Sequence, residues 1–253
     1  MDLIKDILNT DDSKLNEISD KIYNSNRNDL EYWNFMITNS ILTEDIIIKN
    51  LNFLDRELLI KNQKLTSKVI ENEQFIESDN LKLLNLLLSC QSLDMDCLEN
   101  IIKINKEIDW FLISKFQNLS IFFMEKYKEK LDWNIISENQ FLPLNYIKVI
   151  KDRINFDNLG NNVKIHEILN DEFVESFKNE NIWNCLIWSS NISDECLESN
   201  LHKLNQSQIL DLLEVRKLDF DLLTNLIDKY SHIDNLFDYI LEGQELEESY
   251  ITE

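Results

Sequence analysis

Residues 108–117 read Ile-Asp-Trp-Phe-Leu-Ile-Ser-Lys-Phe-Gln, and residues 131–140 read Leu-Asp-Trp-Asn-Ile-Ile-Ser-Glu-Asn-Gln. Both phrases hold an aliphatic residue, an Asp, a Trp in the first turn of an apolar helix, an Ile-Ser pair and a closing Gln. Self-similarity at a short period is the mark of a repeat architecture. Sliding the phrase along the chain places unit starts at Leu15, Leu42, Leu65, Leu93, Leu119, Leu142, Ile165, Ile192 and Leu218. The spacing is roughly 23–28 residues. The pattern predicts an all-α fold, an α-solenoid of about nine short helix-turn-helix repeats. They would fill residues 15–245 of a single repeat domain spanning 1–253, with an acidic tail at 246–253.

Local chemistry sets where the helices begin. Thr43, Thr66, Ser120, Ser193 and Asp219 stand at N-cap positions of the first helix of a unit, where a side-chain oxygen meets an orphan backbone N–H. The aliphatic residue before each cap pairs with one five positions on, as in Leu42 with Ile47, Leu119 with Met124 and Ile192 with Leu197. That spacing is the hydrophobic staple. Asp109 and Asp132 cap the second helix, with Ile108 and Leu131 stapled to Ile113 and Ile136; Asn155 before Phe156 is a weaker version. Trp33, Trp110, Trp133 and Trp183 share the first-turn position, with Phe156 substituting once, and a ring that size is expected to fill the groove between neighbouring units. Helices of about ten residues are unstable alone, so each unit must stack on the next to share a core. Residues 158–164, around Leu159-Gly160-Asn161-Asn162, are the best candidate for a local turn.

Composition narrows the function. The 253 residues carry a formal net charge of −22 and are 43% hydrophobic, with no Ala, two Gly and one Pro. A chain this acidic does not bind nucleic acid by neutralising phosphates, and anionic membranes repel it. Its charge steers basic partners or serves solubility. No stretch reaches the roughly 20 apolar residues that span a bilayer, and Met1 to Asp6 lacks the basic start of a signal peptide. The expected location is the cytoplasm, with no membrane partner. Four cysteines without framework spacing agree with a reducing compartment.

The residues that carry chemistry elsewhere have structural readings here. Cys97 and Cys196 occupy one repeat position that Ile46, Val69, Phe123, Tyr146 and Leu222 fill in other units, and Cys185 occupies another that Phe35, Leu112 and Ile135 fill. All three are expected in the core, where a free cysteine behaves as a small hydrophobe. Zinc needs ligands at short paired spacings, which the cysteines lack. His166, His202 and His232 fall in three different units without a metal-binding pair. Two isolated glycines cannot build a phosphate-cradling loop. Gln63, Gln91, Gln117 and Gln140 recur at the end of the second helix. They either line a groove or satisfy backbone groups in the turn between units, and the second reading is adopted. Trp188, out of register by five residues, is either an exposed anchor for a partner or packs on an adjacent helix. No catalytic, cofactor or metal residue is assigned.

The two phrases at Ile108 and Leu131 resemble a tandem repeat of giant, mimivirus-like DNA viruses of amoebae, and the Ile-, Asn- and Lys-rich composition agrees with an AT-rich genome. The resemblance covers residues 93–141 well and implies a viral helical repeat protein without an established activity. The expectation is a non-catalytic scaffold or adaptor for a protein partner with a basic surface, without direct nucleic-acid binding and without a cofactor. Two alternatives stand beside it: an acidic nucleic-acid mimic that blocks a DNA- or RNA-binding protein, and an adaptor in a viral or host translation-factor complex.

Overall fold

The computed structural model describes residues 30–72, 75, 80–105, 107–178 and 181–244. The first unit expected from the sequence (from Leu15), the acidic tail and the side chain of Cys185 lie outside the described residues. All regular structure among the described residues is helical. The chain forms two compact units, residues 1–131 and 132–253.

In the first unit the helices are α1 (Leu30–Asn39), α2 (Glu44–Asn50), α3 (Arg56–Asn62), α4 (Ser67–Ile70), α5 (Leu81–Cys90), α6 (Met95–Ile104), α7 (Trp110–Phe116) and α8 (Ile121–Lys126). Odd-numbered helices pack in series, α1 on α3, α3 on α5 and α5 on α7, while α2 packs on α4. The second unit holds α9 (Trp133–Asn139), α10 (Leu144–Val149), α11 (Phe156–Gly160), α12 (Asp171–Phe177), α13 (Trp183–Trp188), α14 (Asp194–Asn200), α15 (Gln206–Val215), α16 (Phe220–Tyr230) and α17 (Leu236–Gln244). Its odd-numbered helices again contact the next odd one, from α9 to α17.

The caps explain these starts. Thr43, Ser120, Ser193 and Asp219 accept from the backbone N–H three residues on, at 3.4, 3.2, 3.1 and 2.7 Å. Asp109 and Asp132 each accept two N–H groups, and Asn155 caps α11 fully at 3.1 Å. Thr66 departs from expectation. It makes no cap hydrogen bond and donates instead to Glu44 at 2.6 Å, because that carboxylate lies one helix pair away. Asp55, Asn80, Asp94, Asn170 and Asn205 are further caps, the last in a reciprocal capping box with Gln208. The staple pairs Leu42/Ile47, Leu65/Ile70, Leu119/Met124, Ile192/Leu197 and Leu218/Leu223 are all buried.

One register differs from the sequence reading. The unit expected to open at Ile165 opens at Leu169, with Asn170 as cap and Val174 as the staple partner, both apolar residues fully buried. Ile165 instead leads a 3-10 turn, His166–Ile168. The reason is local: Asn170 has a side-chain oxygen able to take the N–H of Phe173 at 3.0 Å, whereas the residue after Ile165 is His166. The turn expected over residues 158–164 forms only in its second half: 158–160 are the end of α11, and the turn runs from Asn161 to Ile165.

Candidate functional site

The recurring amides are the most heavily used polar side chains in the first unit. Gln63 accepts from Leu42 N–H at 2.9 Å and donates to the carbonyls of Ile37 and Ser40, both at 2.7 Å. Gln91 accepts from Leu65 N–H at 3.0 Å and donates to Ile60 and Gln63 carbonyls at 2.6 and 2.8 Å. Gln117 accepts from Leu93 N–H at 3.0 Å and donates to Leu88 and Gln91 carbonyls at 2.6 and 2.8 Å. Each amide therefore joins the C-terminal carbonyls of the preceding odd-numbered helix to the staple residue of the following helix. An α-helix end leaves such carbonyls without partners, and burying them unmet is costly. The groove-lining reading gives way to the structural one, with a refinement: each Gln clamps the turn of the unit before it.

In the second unit Gln140 is likewise buried, and further along the chain other residues make such contacts. Asn162, fully buried, donates to Ser137 and Gln140 carbonyls at 2.8 and 2.7 Å. Ser189 Oγ bridges His166 and Leu169 carbonyls at 2.8 and 3.0 Å. Arg216 donates to the carbonyls of Ser189, at 3.1 Å, and Ile192, and to Asp194 at 2.8 Å.

The tryptophans show a second recurrence. Trp33 is buried, whereas Trp110, Trp133 and Trp183 are half-buried and each lies under a cation: Lys130 at 5.2 Å, Arg153 at 5.9 Å and Lys203 at 5.6 Å from the ring centroid. Each cation stands 20 residues after its Trp, just before the next staple residue. That spacing was available in the sequence, but its meaning needs the stacked geometry. Such contacts contribute about 0.5–1 kcal/mol when exposed.

The cysteines divide. Cys97 is buried, and burial pushes its thiol up to about 11, with Glu71 and Asp94 adding to the effect. Cys196 is only half-buried, which corrects the core assignment. Its neighbours are Asp171, Ser193 and Asn200, a polar rim, while Leu197 takes the inward place. Desolvation first, and Asp171 second, raise its thiol to about 11. Cys90 is exposed. Neither perturbed thiol is an activated nucleophile, since activation needs a lowered pKa.

Among the described residues, no group of three or more His, Cys, Asp or Glu side chains is placed to hold a metal ion. None of the helices there is long and apolar enough to cross a membrane. Two open clefts lie between successive odd-numbered helices of the first unit. One, of about 420 Å³, is lined by Leu81, Asn85, Glu107, Ile108, Asp109 and Trp110; the other, of about 360 Å³, lies beside Asp55, Glu57 and Asn80. Neither brings a nucleophile to a base.

Trp188 is 47% exposed, and its ring stacks on His166 at 6.4 Å with the planes 8° apart. His166 Nε2 is 2.9 Å from the Gly160 carbonyl. Charge is distributed unevenly. Residues 1–131 hold 23 acidic and 16 basic side chains, net −7, and residues 132–253 hold 24 and 9, net −15. No protein-family model matches the chain, and neither does any curated protein or solved structure.

Proposed function

We propose that the chain is an α-solenoid and that it works as a non-catalytic protein-binding scaffold for a partner with a basic surface. The observation that carries this reading is a division of labour. The polar side chains that recur from unit to unit are turned inward onto backbone groups, and the carboxylates are left on the outside. Gln63, Gln91 and Gln117 hold neighbouring helix pairs together at each step, as a quasi-one-dimensional array requires. The series packing of odd-numbered helices in each unit supports the same architecture. A net charge of −22 favours encounter with cationic surfaces and makes that encounter salt-dependent.

The test is affinity purification at physiological salt, repeated at several-fold higher salt. The expected result is specific capture of basic proteins that weakens as salt rises. Capture of nothing specific sinks the scaffold. Release of the captured protein by added DNA would favour the acidic mimic instead, and enrichment of ribosomal or initiation components would favour the translation-factor adaptor. The viral origin implied by the repeat resemblance is part of the same proposal.

A further inference from the structure

We infer that the edge of the second unit formed by its odd-to-even helix turns is the docking strip, and that its occupant is a basic segment with apolar side chains. This deepens the scaffold reading and rests on it. The backbone-clamping residues bring the turns side by side. Asn162 donates to the Gln140 carbonyl, which ties the turn that carries Val163 to the turn that carries Phe141. Ser189 reaches the His166 carbonyl and Trp188 stacks on the same residue, which ties the next turn to the last. Arg216 donates to the Ser189 carbonyl, which ties the turn that follows Val215 to the turn that follows Trp188.

Each of these four tied turns carries a large apolar side chain open to solvent: Phe141 51%, Val163 75%, Trp188 47% and Val215 42%. Exposed apolar side chains rimmed by polar residues mark an interaction surface where they gather, and Trp is enriched among residues that dominate binding. The charge beside the strip names the occupant. Three of the four turns run into an even-numbered helix whose start is acidic, Asp171 and Glu172 for α12, Asp194 and Glu195 for α14, Asp219 and Asp221 for α16, whereas α10 after Phe141 has no acid in its first turn. Some of these are neutralised internally, Glu172 by Lys148 and Asp194 by Arg216. Lys164 and Lys217 are also exposed on the edge, but the described residues of the unit, 132–178 and 181–244, hold 19 acidic and 9 basic side chains, net −10. Apolar side chains flanked by carboxylates complement a segment that alternates Leu-like and Lys-like residues.

The experiment uses the full chain and three synthetic helical peptides of equal length, built from Leu and Lys, Leu and Glu, and Ser and Lys. Affinity is read by calorimetry, with Trp fluorescence as a second signal. The Leu/Lys peptide is expected to bind, and both others to bind at least about tenfold more weakly, because the strip supplies apolar area and charge together. Trp188→Ala and, separately, Val163→Ser are expected to weaken the Leu/Lys peptide by about tenfold and a few-fold. Val163 is three-quarters exposed, so its variant tests the strip without disturbing the fold. Unchanged Leu/Lys affinity in both variants overturns the strip while the basic-partner reading stands. No binding of either Lys-containing peptide to the natural chain overturns that reading and the strip with it. Equal binding of Leu/Glu and Leu/Lys peptides overturns the basic occupant. Self-association of the chain that Trp188→Ala abolishes makes a second copy the occupant, which also overturns the proposal.

Discussion

The two units solve one problem with partly different side chains. In the first, Gln63, Gln91 and Gln117 each make three hydrogen bonds to backbone, two as donor and one as acceptor. In the second, Asn162, Ser189 and Arg216 serve as donors to the same kind of target. What is common to both is a pair of carbonyls three residues apart at a helix end: 37 and 40, 60 and 63, 88 and 91, then 137 and 140, 166 and 169, 189 and 192. Only Gln has the reach and the paired donor and acceptor to meet the staple amide as well. Asn162, one methylene shorter, turns its carbonyl oxygen to Lys164 N–H of its own turn. Arg216 has no acceptor and takes Asp194 instead. The repeat thus constrains the backbone groups to be satisfied and leaves the satisfying residue open.

That contrast can be broken or sharpened by mutation. The largest effect is expected for Gln117→Ala, which strands three backbone groups around a 1% exposed side chain. At about 1–3 kcal/mol for each unmet group, less whatever water recovers, the loss should be about 2–5 kcal/mol in urea unfolding. Ser189→Ala removes one shared hydroxyl donor and should cost about 1–2 kcal/mol. Equal costs for the two would contradict the view that the first unit depends more on its clamps.

The caps come next. Asp109→Ala should destabilise by about 1 kcal/mol, and Asp109→Asn by much less, since Asn also accepts the N–H groups of Phe111 and Leu112. A smaller change is expected for Lys130→Met, about 0.5 kcal/mol, because it removes the cation over Trp110 and keeps most of the aliphatic stem.

The smallest effect is in pH dependence. Hydrogen bonds from Ser67 to Asp94 and from Ser193 to Asp171 hold both carboxyls below their ordinary value of 3.8. A depressed folded-state pKa contributes stability above the unfolded value, and that contribution is lost as pH falls through the folded value. The difference in melting temperature between the natural chain and Asp171→Asn should therefore be constant from pH 7 to about 5 and shrink below about 4. A difference that grows on acidification would contradict the assignment.

Much of the helical layout was legible beforehand. Thr43, Asp109, Ser120, Asp132, Ser193 and Asp219 cap as their positions foretell, because a cap is a contact within three residues. Where the structure differs from these local signals, a contact from elsewhere decided. Thr66 was drawn off its cap by Glu44, and Cys196 was opened to the rim beside Asp171. The start at Leu169 is a different case. It was decided locally by Asn170, but the degenerate phrase around Gly160 hid it.

The candidate site was less legible. Trp188 stands out in the sequence only as a tryptophan out of register, with nothing to say whether it is buried. Its exposure is a tertiary outcome, and the turns that carry Trp188, Phe141, Val163 and Val215 are tied by clamps between residues 22–27 apart. The sequence by itself determined the all-helical class, the helix starts and the excess of carboxylates, since propensity, capping and charge are local properties. Only the tertiary structure decided which carbonyls Gln63, Gln91 and Gln117 reach, which cation covers each Trp and which apolar residues stay outside. Those outcomes require groups 20 or more residues apart to meet, and a linear pattern does not say which of them do.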